Sequence, residues 1–521
     1  MSSPQTRICI CQTLGLSNDY RHTFWFDNVA DQTDFFESKV IKTFVNYAYV
    51  RKNWSLKVNA SITDAEKWGY LFFQNFPTGR YYYYFITNVK YISDETVELE
   101  LEMDVMQTYF FDYALQPSFV EREHASSDIV GENTLDEELE LGQHITDGTY
   151  SSDVFSGDMS VLLMSTVDIN GDDFPACYGK FTDGLYSGCN IYAVKADVAT
   201  TAINSLLKNL GSKADAIICM WQYPEELLQF AGKLEGDNPY FDTVVEGKTD
   251  GVDFLVNRPN DFDGYTPKNS KLLTYPYNYI YMTNNIGNSA IYRYERFQDG
   301  IPLFQLDGSP FPDGGVKCTP RNYNGVGFNY DESLNLTGFP TCAWNADAYK
   351  IWLAQNQGQH TGQILGGIGG IVAGGVMMLT GAGVLPGAGV MAGGVTSIFS
   401  HLSQRHDMES HPPQARGSIS ATLNTSLGQH RITAYRKVIT RERAEIIDNF
   451  FTMYGYKTLR VKTPNRNVRQ SFTYTKTSGC LLTGSLCQED ARKIQSIYDN
   501  GITFWQSSVL IGNYSASNAV K

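Results

Sequence analysis

From Thr361 to Ser400 the chain reads TGQILGGIGGIVAGGVMMLTGAGVLPGAGVMAGGVTSIFS, without a single Asp, Glu, Lys or Arg. The remainder is tyrosine-rich and acidic, with a formal net charge of -15 and a pI near 5.0, so this stretch must be housed differently from its surroundings. Two apolar runs, Ile364 to Leu379 and Val384 to Phe399, flank Thr380-Gly381-Ala382-Gly383, with Pro386 early in the second. The pattern predicts a hairpin. Each run of about 16 residues would reach roughly 24 Å as a helix, against a hydrocarbon core of about 30 Å, which disfavours a conventional biosynthetic anchor.

Glycine resists any single fold in water, because it loses the most backbone entropy on ordering. In lipid, small residues four apart let helices approach closely. That spacing separates Gly366 from Gly370, Gly370 from Gly374, Gly383 from Gly387, and Gly389 from Gly393. The candidate membrane-active side chains are Ile364, Leu365, Ile368, Ile371, Val372, Val376, Met377, Met378, Leu379, Val384, Leu385, Val390, Met391, Val395, Ile398 and Phe399. Several such hairpins together are expected to line a pore. Three plainer readings fit less well. A buried core hairpin would be under-filled by so much glycine, a nucleotide loop lacks its lysine and a preceding strand, and a flexible linker would be polar.

Outside this stretch, 521 residues with 42% hydrophobic content can bury several cores. The acidic balance argues against a sequence-independent nucleic-acid binder, which needs a basic face; DNA is expected to be repelled or merely passed. The first residues, MSSPQTRICICQ, lack the basic and apolar regions of a secretory signal, so cytoplasmic synthesis is expected. Nine scattered cysteines without CxxC and histidine pairing read as mostly buried thiols. There is no HExxH, GxSxG or P-loop motif, and neither an enzymatic activity nor a cofactor nor a metal is expected. His401, His406 and His411 read as solvated, while His360 and His401 bracket the hairpin, where protonation near pH 6 would alter its entry into lipid. Asp172-Asp173 and Asp136-Glu137-Glu138 sit in polar, loop-like sequence.

The clearest hairpin pairs YYYYFITNVKYI with VELELEMDVMQTYFF across Ser93-Asp94-Glu95. Strict alternation sends Val97, Leu99, Leu101, Met103 and Val105 one way and Glu98, Glu100, Glu102 and Asp104 the other. The acids are candidate channel-lining groups; the plain alternative is a solvated outer face. Residues Ile8 to Val58 read as β structure. The capping-box spacing Thr63-Asp64-Ala65-Glu66 predicts a helix carrying Ala65, Trp68, Leu71, Phe72 and Phe76 as far as Pro77. A strand from Val161, a helix over Val198 to Leu210, the strand AIICMWQY and a short helix after Pro224 read as an α/β module, followed by β structure from Asp250 to Asn345. Strands are expected from Arg416 to Ile439. A helix from Thr440 to Tyr454 places Ala444, Ile447, Phe450 and Phe451 on one side, and another from Glu489 to Asp499 stops at Asn500-Gly501.

QPSFVEREH (Gln116 to His124), with DVMQTYFFD before it, is followed in order by KLLTYPYNYIYMTNNIGN (Lys271 to Asn288), AYKIWLAQNQ (Ala348 to Gln357), DNFFTMYGYKTLRVKTPN (Asp448 to Asn465) and IYDNGITFW (Ile497 to Trp505). This series, with the apolar stretch in its place, resembles the distal tail tube, or tail knob, proteins of small short-tailed phages of the phi-twenty-nine-like (Picovirinae) type. The resemblance implies a mainly β fold with α+β parts, in a multi-domain subunit forming a hexameric tube with the glycine-rich apolar hairpin inserted near its mouth. It implies a homo-hexamer at the distal tip of the virion tail, joined to the proximal tail tube or lower collar protein. Genome DNA would pass without specific binding, and the loop would engage the host cytoplasmic membrane. The expected division is 1–125 β-rich tube wall, 126–160 acidic connection, 161–250 α/β module, 251–350 β-rich knob, 351–410 membrane-active loop and 411–521 a closing α+β segment. The competing function class is a tail-associated host-binding or cell-wall-degrading protein, in which the apolar hairpin has no role.

Overall fold

The computed structural model describes residues 6–47, 55–152, 158–170, 173–177, 181–182, 185–186, 188–234, 238–247, 251–284, 288–298, 300–310, 316–324, 334–336, 342–345 and 432–521. The expected apolar hairpin from Ile364 to Phe399 lies outside the described residues. So do the glycines expected to pack it, Gly366, Gly370, Gly374, Gly383, Gly387, Gly389 and Gly393. His360, His401, His406 and His411, Asp172 and the strands expected before Ile432 lie outside them as well. Two compact units interleave along the chain. One comprises 1–142, 261–276 and 440–521, the other 143–260 and 277–439.

The first unit is built on a six-stranded antiparallel sheet in the order Val40–Val45, Thr6–Cys11, Tyr70–Asn75, Arg80–Ser93, Thr96–Met103, Ser55–Asn59. The expected hairpin is its centrepiece, turning tightly so that Ser93 pairs with Thr96. Val97, Leu99 and Met103 are fully buried and Leu101 nearly so, each contributing about 1.5–3 kcal/mol by leaving water. A five-stranded sheet orders His22–Phe24, Ile502–Trp505, Phe472–Ser478, Ser118–Glu123 and Tyr456–Lys462. Its first pair is parallel and the others are antiparallel.

The helix expected from Thr63 to Phe76 is corrected: only Ile62–Ala65 is helical, and its N-cap is Ser61, whose hydroxyl accepts from Asp64 N at 3.3 Å. Leu71, Phe72 and Phe73 belong to the strand Tyr70–Asn75, paired on both sides and buried on both faces. A continuous aromatic run flanked by two partners gains more from sheet burial than from one amphipathic helical face. A helix at Val29–Glu37, inside the segment read as β, is capped by Asn28 accepting from Asp31 N at 2.9 Å.

Helix Arg441–Tyr454 buries Ala444, Ile447 and Phe451 as expected. Phe450 is half-buried under the Arg122 guanidinium, 4.6 Å from the ring centroid. The fully buried acid on this face is Asp448, which accepts from Tyr265 Oη at 2.6 Å, Lys268 N at 2.7 Å and Asn269 N at 3.1 Å. The helix ends at Gly455, where φ is +66° and an added Cβ would stand 2.1 Å from the Glu123 carbonyl oxygen, so only glycine fits. Gln488–Asn500 likewise ends at Gly501, with φ +92°.

The second unit holds a six-stranded antiparallel sheet ordered Leu228–Lys233, Phe241–Gly247, Asn190–Lys195, Met159–Ser165, Ile217–Pro224, Cys342–Asn345. Helix Ala199–Leu210 follows the third of these and buries Ile203, Leu206 and Leu207. The module expected here as α/β is an antiparallel sheet, because the strand after the helix pairs antiparallel to Met159–Ser165; besides that α-helix its described residues include two short 3-10 helices, Gly211–Ala216 and, after Pro224 as expected, Glu225–Leu227. A four-stranded sheet joins His144–Ser151, Thr433–Ile439, Asn278–Thr283 and Ser289–Tyr292; another joins Val252–Leu255, Leu303–Gly308, Val316–Pro320 and Leu334–Leu336. The architecture is mainly β with α+β parts, as expected. Cys9, Cys11, Cys177, Cys189, Cys219, Cys318 and Cys480 are buried and Cys487 is exposed. No helix among the described residues is long and apolar enough to cross a membrane.

Candidate functional site

The acidic strand Thr96–Met103 is set by its pairing on both sides, which leaves Glu98, Glu100 and Glu102 half-buried on the face opposite the core. These acids are not bare. Glu98 lies across from Lys57 on one neighbour and Lys90 on the other. Glu100 accepts from Lys90 Nζ and, at 3.0 Å, from Asn88 Nδ2. Glu102 accepts from Lys493 Nζ at 2.7 Å and Asn18 Nδ2 at 2.7 Å. The hydrogen bond from Lys90 holds the Glu100 carboxyl below its usual range. Partial burial pushes Glu102 up, but the hydrogen bonds from Lys493 and Asn18 outweigh it and keep that group low as well. Both of these carboxylates stay ionised at neutral pH.

Asp104 departs from the expected ladder. It is 2% exposed and caps the turn Val105–Thr108, accepting from Met106 N at 3.0 Å and Gln107 N at 3.1 Å, while Tyr70 Oη donates to its other oxygen at 2.8 Å. Alternation ends at Met103 because the chain leaves the sheet there, so the next residue is turned inward to cap. Asp104 is thus a core group and not part of an acidic face. Burial pushes its carboxyl up to about 6 despite the three donors.

Beside the strand, a cleft of ≈ 780 Å³ is lined by Glu98, Glu100, Glu102, Glu489, Asp490 and Lys493. Two of these come from the N-terminal turn of helix Gln488–Asn500, where acids suit the helix dipole. Asp490 is further engaged by Tyr109 Oη at 2.7 Å and Cys487 Sγ at 3.1 Å. The result is an ordered acidic surface with lysine counter-charges, suited to repelling a polyanion without holding one.

Sequence reasoning places Glu137 in a polar loop, yet its side chain is sealed from solvent, between Lys271 Nζ and the Arg122 guanidinium, and it accepts from Lys457 N at 2.9 Å. Removing one member of such a set leaves a buried charge uncompensated, at a cost of about 3–5 kcal/mol. No local pattern marks this residue, since its partners lie 15 and 134 positions away. Among the described residues no group of three or more His, Cys, Asp or Glu side chains is placed to hold a metal ion.

Residues 241–519 match the family described as Bacillus phage phi29 tail knob protein gp9, C-terminal domain, and residues 4–114 match the caudoviral major tail protein N-terminus. The tail knob protein gp9 of Bacillus phage phi29 is 25% identical to this chain, with 99% of each covered. That of Bacillus phage B103 is 24% identical at the same coverage. The solved structure of the bacteriophage C1 tail knob protein, gp12, superposes with a TM-score of 0.69 at 14% identity, over 99% of this chain and 100% of that one.

Proposed function

The chain belongs to the family of the phi29 tail knob protein gp9 and is a structural protein of a phage tail, and we propose that it builds the distal tube through which the genome leaves. Six copies close the tube and adjoin the proximal tail tube or lower collar protein. The apolar loop of residues 351–410 plugs the mouth, then enters the host cytoplasmic membrane and forms a channel there. The observation that carries this reading is the correspondence with tail knob proteins, which covers 99% of both chains.

Two features of the fold support it. Val40–Val45 and Ser55–Asn59 are the edges of the six-stranded sheet, and a closed ring is one way to cover edges that otherwise invite aggregation. Glu98, Glu100 and Glu102 are assigned to the channel wall, where like charge lets DNA slide without sticking; Asp104, being a core group, is left out of that set.

The membrane role rests on the charge-free sequence and on its small-residue spacing, carried by Gly366, Gly370 and Gly374 in the first run and by Gly383, Gly387, Gly389 and Gly393 around the second. Aspartates at Val376 and Val390 would cost about 2.5–3.5 kcal/mol per site near a bilayer centre, multiplied around a ring. The doubly substituted protein is predicted to assemble normally, to release no dye from liposomes and to deliver no DNA from particles. Dye release and delivery that survive both this change and deletion of Gly362 to Ser400 would reduce the stretch to a linker.

A further inference from the structure

A second cleft of the first unit, of ≈ 540 Å³, is lined by His124, Asp128, Lys268, Asn269 and Arg469 together with residues 515–520. Most of its polar groups are already committed. His124 Nδ1 accepts from Tyr474 N at 2.8 Å and Nε2 meets the Thr452 carbonyl at 3.0 Å, which fixes a neutral ring. Burial, reinforced by the nearby Arg469 charge, pushes that imidazole down to about 3. Asp128 accepts from Tyr456 Oη at 2.5 Å and Ser270 N at 3.4 Å. Asn269 Nδ2 donates to Asp448 Oδ1 and Thr452 Oγ1, each at 2.8 Å.

Arg469 is the exception. It is 5% exposed and anchored through its backbone, which donates to Thr473 Oγ1 at 3.2 Å and bridges Val520. Its Nε is buried without an acceptor, and its guanidinium has no ion-pair partner among the described residues. By contrast, Lys271 and Arg122 share Glu137, and Arg436 meets Asp147. A guanidinium stays protonated wherever it is placed, and an unpaired buried charge is strongly unfavourable. Such a charge facing a cleft calls for an anion.

We propose that this cleft binds a carboxylate, with Arg469 as the anchoring cation and Lys268 as the second, exposed one. The planar guanidinium matches a carboxylate in a two-point hydrogen bond, and the neighbouring Asp128 disfavours a dianion such as phosphate more than a singly charged group. The carboxylate comes either from a free small acid or from an acidic side chain of a second copy of this chain, which carries 56 Asp and Glu residues. The site goes beyond the tube reading and stands without it.

The test is thermal unfolding of the full chain in sodium acetate against sodium chloride at equal ionic strength, since a ligand that binds only the folded state raises the midpoint in a saturable way. The expected result is an acetate-specific rise that is absent in Arg469→Met and reaches half-saturation at several-fold lower acetate in Asp128→Asn. Should Arg469→Met fail to fold, the Asp128→Asn comparison decides: a lower acetate midpoint supports the site and an unchanged one overturns it. Sedimentation of the same samples identifies the source. Acetate that dissociates an oligomer shows that a second copy supplies the carboxylate, and an oligomer indifferent to acetate assigns the site to a free acid. Equal responses to acetate and chloride in the unsubstituted chain contradict the proposal outright.

Discussion

Asp104 and His124 are both buried and both titrate away from their ordinary values, in opposite senses for stability. The Asp104 carboxyl is pushed by burial up to about 6, from an ordinary 3.8. Above pH 6 it is ionised in the folded and the unfolded chain, and its burial penalty is fully present. As pH falls from about 6 towards 3.8, the folded form takes up the proton first, so this residue then adds stability. Asp104→Asn keeps an oxygen for the cap and has no charge to bury. The stability difference between the variant and the unsubstituted chain is predicted to shrink by roughly 2 kcal/mol between pH 7.5 and pH 4.5, read from denaturant unfolding. A difference that stays constant over that range would show that Asp104 does not titrate there. His124 works the other way: from an ordinary 6.5 it is held near 3 by burial and then by Arg469, so the unfolded chain binds the proton first and stability falls as pH drops from 6.5 towards 3. The period-two pattern identifies the buried Val97, Leu99, Leu101 and Met103 because it depends on neighbours alone. Glu137 and Asp448 take their roles from partners far away in sequence, and Asp104 from the turn that follows Met103, none of which the alternation marks.

Among elements, the strand Thr96–Met103 carries the functional argument and also a clear test. Replacing Glu98, Glu100 and Glu102 by Gln keeps the hydrogen-bonding shape of the face and removes three negative charges per copy. If the face lines the channel, DNA release from particles carrying these changes is predicted to slow, and to slow more at low salt, where charge is less screened. Release at an unchanged rate at every salt concentration would place the face outside the channel. The hairpin containing this strand is readable because both partners are adjacent in sequence and one face alternates cleanly. The segment from Ser61 to Asn75 misleads because Leu71 and Phe72 satisfy a helical face and a doubly buried strand equally well; only their partners at Thr6–Cys11 and Arg80–Ser93 decide between them. The helix Val29–Glu37 escapes notice because it is short and buries only Gln32 and Phe36 fully.

At the scale of the whole molecule, the chain divides its two compact units among interleaved segments. Ser118–Glu123 pairs with both Tyr456–Lys462 and Phe472–Ser478, and His22–Phe24 pairs with Ile502–Trp505, so the two ends of the sequence build one sheet. A reading that moves along the sequence finds contiguous blocks and has no local signal for that return. What it does recognise is the order of short motifs around a charge-free stretch, which leads to the family before any strand is paired. The central claim is that copies of this chain close into a tube, and electron cryomicroscopy of the purified full-length protein at micromolar concentration tests it most directly. The account predicts six-fold rings or short tubes with an open central channel. Single copies only, at every concentration tried, would contradict it.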